Sequence, residues 1–258
     1  MEVIYEDNHI IIVNKSPGEI VQGDKTGDTP LVEIVRQYIK ETYAKPGNVF
    51  CGVAHRIDRP VGGLVVFAKT SKALTRLNDM FRNNEIHKTY WAIVQGRPKQ
   101  PEAHLTHYIT SVERNNKSYA SLRPKEGAAR SELIYRTLAE GENYSLLEIN
   151  LITGRKHQIR VQMREMGHPL WGDHRYGHAM AGQQIALWGY RLTFEHPTTR
   201  RVMTFQSLPC GSVWNNYAPE LTDMAVRFAN SAAAILQEEN EKHPADETSQ
   251  QPEGGTES

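Results

Sequence analysis

Five β-like segments follow one another between residues 89 and 152, with little helical periodicity between them. Each is rich in β-branched and aromatic residues, and they span 89–94, 104–110, 118–123, 131–138 and 144–152. Successive strands without intervening helices favour antiparallel pairing, because parallel neighbours need long crossover connections. The pattern therefore predicts an α+β fold rather than a doubly wound parallel sheet.

The rest of the chain predicts further strands and a few separated helices. Apolar residues recur at helical spacing from Leu31 to Ile39, and Thr70 or Ser71 can cap a helix with Leu77 on its apolar face. We expect a mixed, largely antiparallel central sheet flanked by helices. The remaining predicted elements are strands at 3–14, 63–69, 186–194 and 201–206, and helices at 154–166 and 219–237.

The formal net charge of zero is an average over two unlike regions. The whole chain has 30 Lys and Arg against 30 Asp and Glu. Residues 237–258 hold seven acids and one base, so residues 1–236 carry 29 bases and 23 acids, a net charge of +6. We therefore expect a basic folded domain at 1–236 and an acidic, disordered tail at 237–258, which we hypothesise competes with phosphates and so weakens the nonspecific binding of phosphate-bearing ligands.

The sequence also indicates in which cellular compartment the protein is expected. The longest apolar runs are strand-sized, well short of the roughly 18 residues that span a bilayer, so no membrane association is expected. Glu2, Glu6 and Asp7 lie where a signal peptide would be basic and then apolar. Two distant cysteines, Cys51 and Cys210, fit reduced thiols better than a disulfide framework or a zinc site. We expect a cytoplasmic protein.

The densest charged motif is residues 54–60, Ala-His-Arg-Ile-Asp-Arg-Pro, just before a predicted strand. Pro60 restrains the turn, and the Gly62-Gly63 pair allows a backbone or a ligand to approach closely. Taken alone, the motif is explained more simply by a surface turn with a solvated ion pair, since exposed ion pairs are common. A kinase catalytic loop would not, because Ile57 interrupts His-Arg-Asp and no phosphate loop precedes it.

A second motif is residues 153–160, Thr-Gly-Arg-Lys-His-Gln-Ile-Arg. We expect Gly154 to open a helix on which His157, Arg160 and Arg164 share one face. Basic side chains at a helix start, where backbone N–H groups are free, suit phosphate. An amphipathic helix with a solvated basic side remains the alternative.

A third motif is residues 88–96, Lys-Thr-Tyr-Trp-Ala-Ile-Val-Gln-Gly. Its alternation predicts a strand with Tyr90 on one face and Trp91 on the other. Either aromatic could be a ligand platform or a core residue, because aromatics bury large areas.

Together, these motifs resemble those of the ribosomal large-subunit, or A, family of RNA pseudouridine synthases. The segments 167–173 and 190–192 extend the resemblance, which covers residues 3–210. It implies that residues 1–236 form a catalytic domain with the pseudouridine synthase fold, that the domain isomerises uridine in RNA, and that it needs no cofactor or metal. The sequence departs from the family in Val61-Gly62-Gly63, where Ser or Thr usually precedes the final Gly, and at Gln162, where His is frequent. It also begins without the S4-type domain that many relatives have.

The resemblance implies roles for individual residues. Asp58 matches the invariant aspartate and is assigned as nucleophile or covalent participant, either by attack at C1′ or by a glycal route. Arg160 matches the basic residue that pairs with it. Tyr90 matches a tyrosine that stacks on the target base, although proton transfer by a phenol would require a perturbed site. Arg56 matches an arginine that fills the space of the flipped nucleotide. The expected RNA contacts are Arg56, Arg59, Arg155, Lys156, His157 and Arg164.

The expected partner is ribosomal or transfer RNA, bound by a monomer. A first alternative is a catalytically inactive RNA-binding protein on the same fold, which would not need an aspartate facing phosphates. A second is a metal-dependent hydrolase, suggested by His104 and His107. Their spacing matches neither a helical zinc site nor a finger, and on a strand they face opposite sides.

Overall fold

The computed structural model describes residues 1–223 together with residues 226 and 227. The chain divides into two units, residues 1–217 and 218–258. In the second unit, residues 218–223 and 226–227 are helical. The acidic tail, the domain boundary after residue 236 and most of the helix predicted at 219–237 lie outside the described residues.

The first unit has eleven strands and three α-helices among its described residues. Short 3-10 turns at Glu113–Asn115 and Ser212–Tyr217 complete it. The strands are β1 Glu2–Glu6, β2 Ile10–Lys15, β3 Gly52–Val53, β4 Gly62–Ala68, β5 His87–Gln95, β6 Glu102–Val112, β7 Lys117–Ser121, β8 Ala129–Glu140, β9 Tyr144–Leu151, β10 Leu187–Glu195 and β11 Val202–Gln206. The helices are α1 Leu31–Thr42, α2 Ser71–Arg82 and α3 Gln158–Glu165.

All these strands form one mixed sheet, in which the order is β1-β2-β4-β10-β5-β9-β8-β6-β7, with β3 paired to β4 and β11 to β10. Within the described residues, β4 and β10 are the one parallel pair. Every other pairing is antiparallel, as the block at 89–152 predicted. The predicted fold class is confirmed.

The single strand predicted at 3–14 is wrong, because two strands form an antiparallel hairpin there. The turn between β1 and β2 is stabilised by Asp7, whose Oδ1 accepts hydrogen bonds from the backbone N–H groups of His9 and Ile10. An aspartate bonding the backbone two or three residues ahead is a turn signal. The apolar run at 10–13 that follows Asp7 outweighed this turn signal in the sequence prediction.

The helices cover both faces of the sheet. Ile11 and Val13 of β2 pack in one core cluster with residues of α1 and α3, whereas Ile10 and Ile12 pack in another with α2. Successive side chains of a strand point to opposite faces, so this alternation places a helix layer on each side. The predicted cap is also present: Thr70 Oγ1 accepts from the N–H of Ala73 at the start of α2.

The predicted start of α3 at Gly154 is wrong. The helix begins at Gln158, because His157 adopts a left-handed backbone with φ of 56°. The face predicted to be shared by His157, Arg160 and Arg164 is therefore absent: Arg160 is buried in the first turn, whereas Arg164 is exposed in the last.

The glycine pair at the start of β4 allows close contact with β10. A Cβ on Gly62 would lie 2.1 Å from the Trp188 ring, and one on Gly63 would lie 2.4 Å from the Gly189 carbonyl oxygen. Gly63 also has φ of +122°, which side chains rarely adopt. The close approach predicted for this pair is made by the Trp188 side chain at Gly62 and by the Gly189 backbone at Gly63, and both contacts join β4 to β10.

Candidate active site

A cleft of about 1590 Å³ opens beside the junction of β4, β10 and β5. Its lining includes Asp58 from the loop before β4, Tyr90 from β5, Arg160 from α3 and Asp173 from the loop after α3. The three sequence motifs, far apart along the chain, therefore meet in one place.

The loop carrying Asp58 is fixed by backbone contacts and by a buried lysine. The Val61 N–H donates to the Asp58 carbonyl at 2.9 Å, closing a turn. Lys15, fully buried at the end of β2, donates from Nζ to the carbonyls of Ser16, Arg59 and Val61 at 3.0, 3.0 and 2.6 Å. These bonds hold the turn, while the Asp58 side chain remains 25% exposed to the cleft.

Arg160 forms the centre of a carboxylate network. Its Nη1 donates to Asp58 Oδ2 at 2.8 Å, as the resemblance predicted. Its Nε and Nη2 donate to the two carboxylate oxygens of Asp173, both at 2.8 Å. A guanidinium suits this arrangement, because its donors form a rigid planar fork.

Burial alone would disfavour these charges. It opposes the charged form of Arg160, but the hydrogen bonds and charges of Asp173 and Asp58 outweigh it and raise the pKa of Arg160. Burial likewise opposes the charge of Asp173, whose pKa is nevertheless lowered by Arg160 and by the backbone N–H groups of Arg175 and Tyr176. Arg160 and Asp173 are therefore both charged at neutral pH.

His157 faces the same carboxylate. Its Nε2 lies 3.7 Å from Asp58 Oδ2, its Nδ1 lies 2.6 Å from the Tyr176 hydroxyl, and only 8% of its side chain is exposed. Burial, with the positive charges of Arg160 and Arg175, lowers the pKa of His157 to about 4 although Asp58 opposes the shift. The ring is thus neutral at pH 7 and lies against Asp58.

Tyr90 and Trp91 face opposite sides of β5, as predicted. Tyr90 lines the cleft and lies against Gly189, whereas Trp91 is buried and stacks on Tyr190 with ring centroids 3.7 Å apart. Burial and the nearby Asp58 charge raise the pKa of Tyr90, so the phenol keeps its proton at neutral pH. This shift is opposite to the one that a general base requires.

The loop before α3 is shaped by Gln158. Its Oε1 accepts from Thr153 Oγ1 at 2.9 Å and from the Arg155 N–H at 3.0 Å, and its Nε2 donates to the Glu132 carbonyl at 3.0 Å. Gln158 therefore folds residues 153–157 into a loop and leaves Arg155 and Lys156 exposed at the cleft.

Positively charged side chains outnumber negatively charged ones around the cleft. Arg56, Arg155 and Lys156 line it and are exposed, and Arg59 lines it while pairing with Asp28 at 2.6 Å. Arg164 does not line it. Among the described lining residues, nine are Lys or Arg and three are Asp. The nine cations are Arg56, Arg59, Arg82, Lys88, Lys117, Arg155, Lys156, Arg160 and Arg175.

Sequence reasoning missed four residues of this site. Asp173 and Tyr176 hold the Arg160 and His157 side chains, Lys15 holds the Asp58 loop, and Lys88 is a buried cation on the cleft wall. Asp173 belongs to the segment 167–173, which extends the family resemblance but predicts no role for this residue. Its distance of 13 residues from Arg160 exceeds any helical spacing, so only the fold brings the two together.

Gln162, which stands where relatives frequently have His, has a polar partner in the core. Gln162 is fully buried, and its Nε2 lies 3.0 Å from His107 Nδ1. His107 is buried whereas His104 is exposed on the other face of β6, as predicted.

Across residues 1–223 and 226–227, no three His, Cys, Asp or Glu side chains group as metal ligands. In the same residues, no helix is long and apolar enough to cross a membrane.

The chain was also compared with known protein families. The RNA pseudouridylate synthase model matches residues 9–165. The chain belongs to this family. The predicted enzyme class, an RNA pseudouridine synthase, is therefore confirmed.

Individual pseudouridine synthases match most of the chain. Ribosomal large subunit pseudouridine synthase D of Zymomonas mobilis is 33% identical over 219 residues, covering 80% of this chain and 68% of that protein. A tRNA pseudouridine synthase C of Vibrio cholerae is 30% identical, covering 85% and 95%. A dual-specificity RNA pseudouridine synthase of Haemophilus influenzae is 30% identical, covering 80% and 92%.

The fold is shared with solved pseudouridine synthase structures. Human RNA pseudouridylate synthase domain containing 4 superposes with a TM-score of 0.70 at 19% identity, covering 86% of this chain and 93% of that one. At this identity, the likeness shows the fold of this synthase and no more.

Proposed function

We propose that this synthase converts uridine to pseudouridine in structured ribosomal or transfer RNA, with Asp58 as the nucleophile on a flipped-out uridine. The supporting observation is the Asp58 carboxylate, partly exposed at a basic cleft and paired with Arg160 Nη1. An aspartate is a fitting nucleophile because it is charged at neutral pH without a general base.

The reaction breaks the N1–C1′ bond, turns the base and joins C5 to C1′. The hydrogen of C5 is lost and N1 gains one, so product and substrate are isomers. We assign Tyr90 to stack on the base as a neutral phenol, because its raised pKa keeps the hydroxyl protonated. Arg160 pairs with Asp58 and fixes its orientation.

RNA binding is assigned to the basic rim. Arg56, Arg59, Arg155 and Lys156 line the cleft, where phosphates supply most of the affinity for nucleic acid. Arg56 is assigned to fill the space that the flipped nucleotide leaves, since the reacting atoms are inaccessible in a stacked helix. Arg164 would contact RNA only beyond the cleft.

Two finer points belong to the same proposal. We assign a monomer, because one chain supplies Asp58, Tyr90 and Arg160 to the cleft. We place it in the cytoplasm, since Cys51 and Cys210 are both free, as in a reducing compartment. Light scattering of the purified chain, alone and with RNA, tests the first point.

The deciding experiment uses unmodified ribosomal and transfer RNA transcripts labelled with tritium at uridine C5. The full chain should release tritium and form pseudouridine without added cofactor, and Asp58→Asn should abolish both while still binding RNA. Glu195→Gln, which alters an exposed ion pair with Arg200, is the matched control and should remain active.

Each outcome discriminates between the candidates. Full activity in Asp58→Asn would rule out Asp58 as the nucleophile. RNA binding by the wild type without pseudouridine on any transcript would favour the inactive binding protein. Mapping pseudouridine in total RNA from cells with and without the gene then identifies the target uridine.

A further inference from the structure

The Tyr176 hydroxyl lies between a backbone donor and a histidine. It accepts a hydrogen bond from the Ser118 N–H at 2.8 Å, and it lies 2.6 Å from His157 Nδ1. A phenol has one hydrogen and can both accept and donate. The Ser118 N–H can only donate, so it leaves the hydroxyl hydrogen available to His157, and the pairing in which Nδ1 accepts that hydrogen uses the donor capacity of the phenol.

This acceptor role determines where the imidazole proton resides. A neutral imidazole has one N–H, so a ring that accepts at Nδ1 carries its hydrogen on Nε2. Nε2 is the atom that lies 3.7 Å from Asp58 Oδ2. The opposite tautomer would turn a lone pair toward the carboxylate, which is electrostatically unfavourable.

The backbone supports the same orientation. His157 has φ of 56°, an uncommon conformation for a residue with a side chain, and such strain concentrates at functional sites. It places the ring against Asp58 and Tyr176 instead of on the exposed face with Arg155 and Lys156.

Tyr176 also contacts the other members of the network. Its ring lies under the Arg160 guanidinium, 5.0 Å from centroid to Cζ, and its backbone N–H donates to Asp173 Oδ1 at 3.1 Å. Tyr176 as a whole is 5% exposed. One buried residue thus touches both groups that face Asp58, namely Arg160 and His157.

We propose that Tyr176 is a positioning residue that holds His157 in its Nε2–H tautomer, so that His157 and Arg160 together orient the Asp58 carboxylate. The inference rests on the proposed function for its effect on rate, but the tautomer belongs to the free protein. His157 then directs its Nε2–H toward the Asp58 carboxylate within the site and is not a phosphate contact.

The tautomer can be measured directly. Nitrogen-15 correlation spectra of the histidine-labelled full chain at pH 7, with His157 assigned from a His157→Gln spectrum, should show a proton on Nε2 and none on Nδ1. A proton on Nδ1, or on both nitrogens, would overturn the proposal. This result does not depend on any activity toward RNA, so it is distinct from failure of the proposed function.

The rate effect needs matched variants. Tyr176→Phe keeps the ring and removes the hydroxyl, and it should lower kcat roughly ten- to a hundred-fold with unchanged RNA affinity. Tyr135→Phe, which removes a buried hydroxyl bonded to the Gln100 carbonyl outside the cleft, should keep kcat. An unchanged kcat in Tyr176→Phe would refute the positioning role.

A double-mutant cycle separates positioning from a general loss of structure. The amide of His157→Gln can donate to Asp58 without help from a hydroxyl, so this variant should exceed His157→Ala in kcat. Adding Tyr176→Phe to His157→Gln should then change kcat by less than about two-fold. A full additional loss would mean that Tyr176 acts independently of His157, contrary to the proposal.

Discussion

Asp173 binds Arg160 through both carboxylate oxygens and leaves a single guanidinium nitrogen, Nη1, for Asp58. The Asp173 side chain is fully buried and that of Arg160 is 6% exposed. The orientation of Arg160 is therefore set by Asp173 within the fold, before any RNA arrives. This arrangement preorganises the charge that pairs with Asp58.

Replacing Asp173 tests this arrangement. Asp173→Asn keeps the shape but removes the charge, and losing one partner of a buried pair costs about 3–5 kcal/mol. We expect a lower denaturation midpoint and a reduced kcat with little change in RNA affinity. Glu195→Gln, at an exposed pair, should cost about 1 kcal/mol or less. Equal midpoints for the two variants would contradict the structural role of Asp173.

Gly63→Ala should disrupt the junction of β4 and β10. The new Cβ would lie 2.4 Å from a backbone oxygen at a positive φ, so we expect a loss of about 3 kcal/mol or more in unfolding free energy. Gly23→Ala is the control, because nothing lies within 4 Å of its Cβ position. Thermal denaturation of both variants measures this difference in stability. A Gly63→Ala protein as stable as the control would be evidence against the close contact.

Lys15 should make stability depend on pH. Burial lowers its pKa from 10.5 to about 8, so between these values the unfolded chain binds more protons than the folded one. The free energy of unfolding should therefore rise with pH through this window, by up to about 3 kcal/mol, relative to a Lys15→Met variant.

Urea titrations at pH 7.5 and 10.5 measure that difference, since other groups cancel between wild type and variant. Lys40→Met, at an exposed position of α1, should show no such difference. A constant gap between wild type and Lys15→Met at the two pH values would show that Lys15 titrates normally.

Lys88 should lower the stability of the fold and strengthen RNA binding. It is 7% exposed on the cleft wall, burial lowers its pKa, and among the described residues none accepts a hydrogen bond from its ammonium. Lys88→Met should raise the free energy of unfolding by about 1–2 kcal/mol, because a buried charge is removed.

The same variant should bind RNA more weakly, with a salt dependence of affinity reduced by about one phosphate contact. Exposed Lys72 of α2 provides the control, since Lys72→Met should not gain stability. A destabilised Lys88→Met with normal RNA affinity would assign Lys88 to the fold alone.

The sequence predicted those features that depend on local pattern or on a complete motif. The antiparallel block, the Thr70 cap and the pairing of Asp58 with Arg160 were of this kind. The loop at 153–157 was missed because Gln158 holds it through a hydrogen bond to the Glu132 carbonyl, which belongs to a strand distant in sequence. Lys15 was missed because its carbonyl acceptors at Arg59 and Val61 lie more than forty residues away.

The central position of β10 has a consequence for biosynthesis. This strand lies between β4 and β5 although it is almost the last to leave the ribosome. Until it is made, the nascent chain holds two half-sheets whose apolar edges are open to pairing with other chains. A chain truncated before residue 187 should therefore aggregate, even though Asp58, Tyr90, Arg160 and Asp173 have all been synthesised.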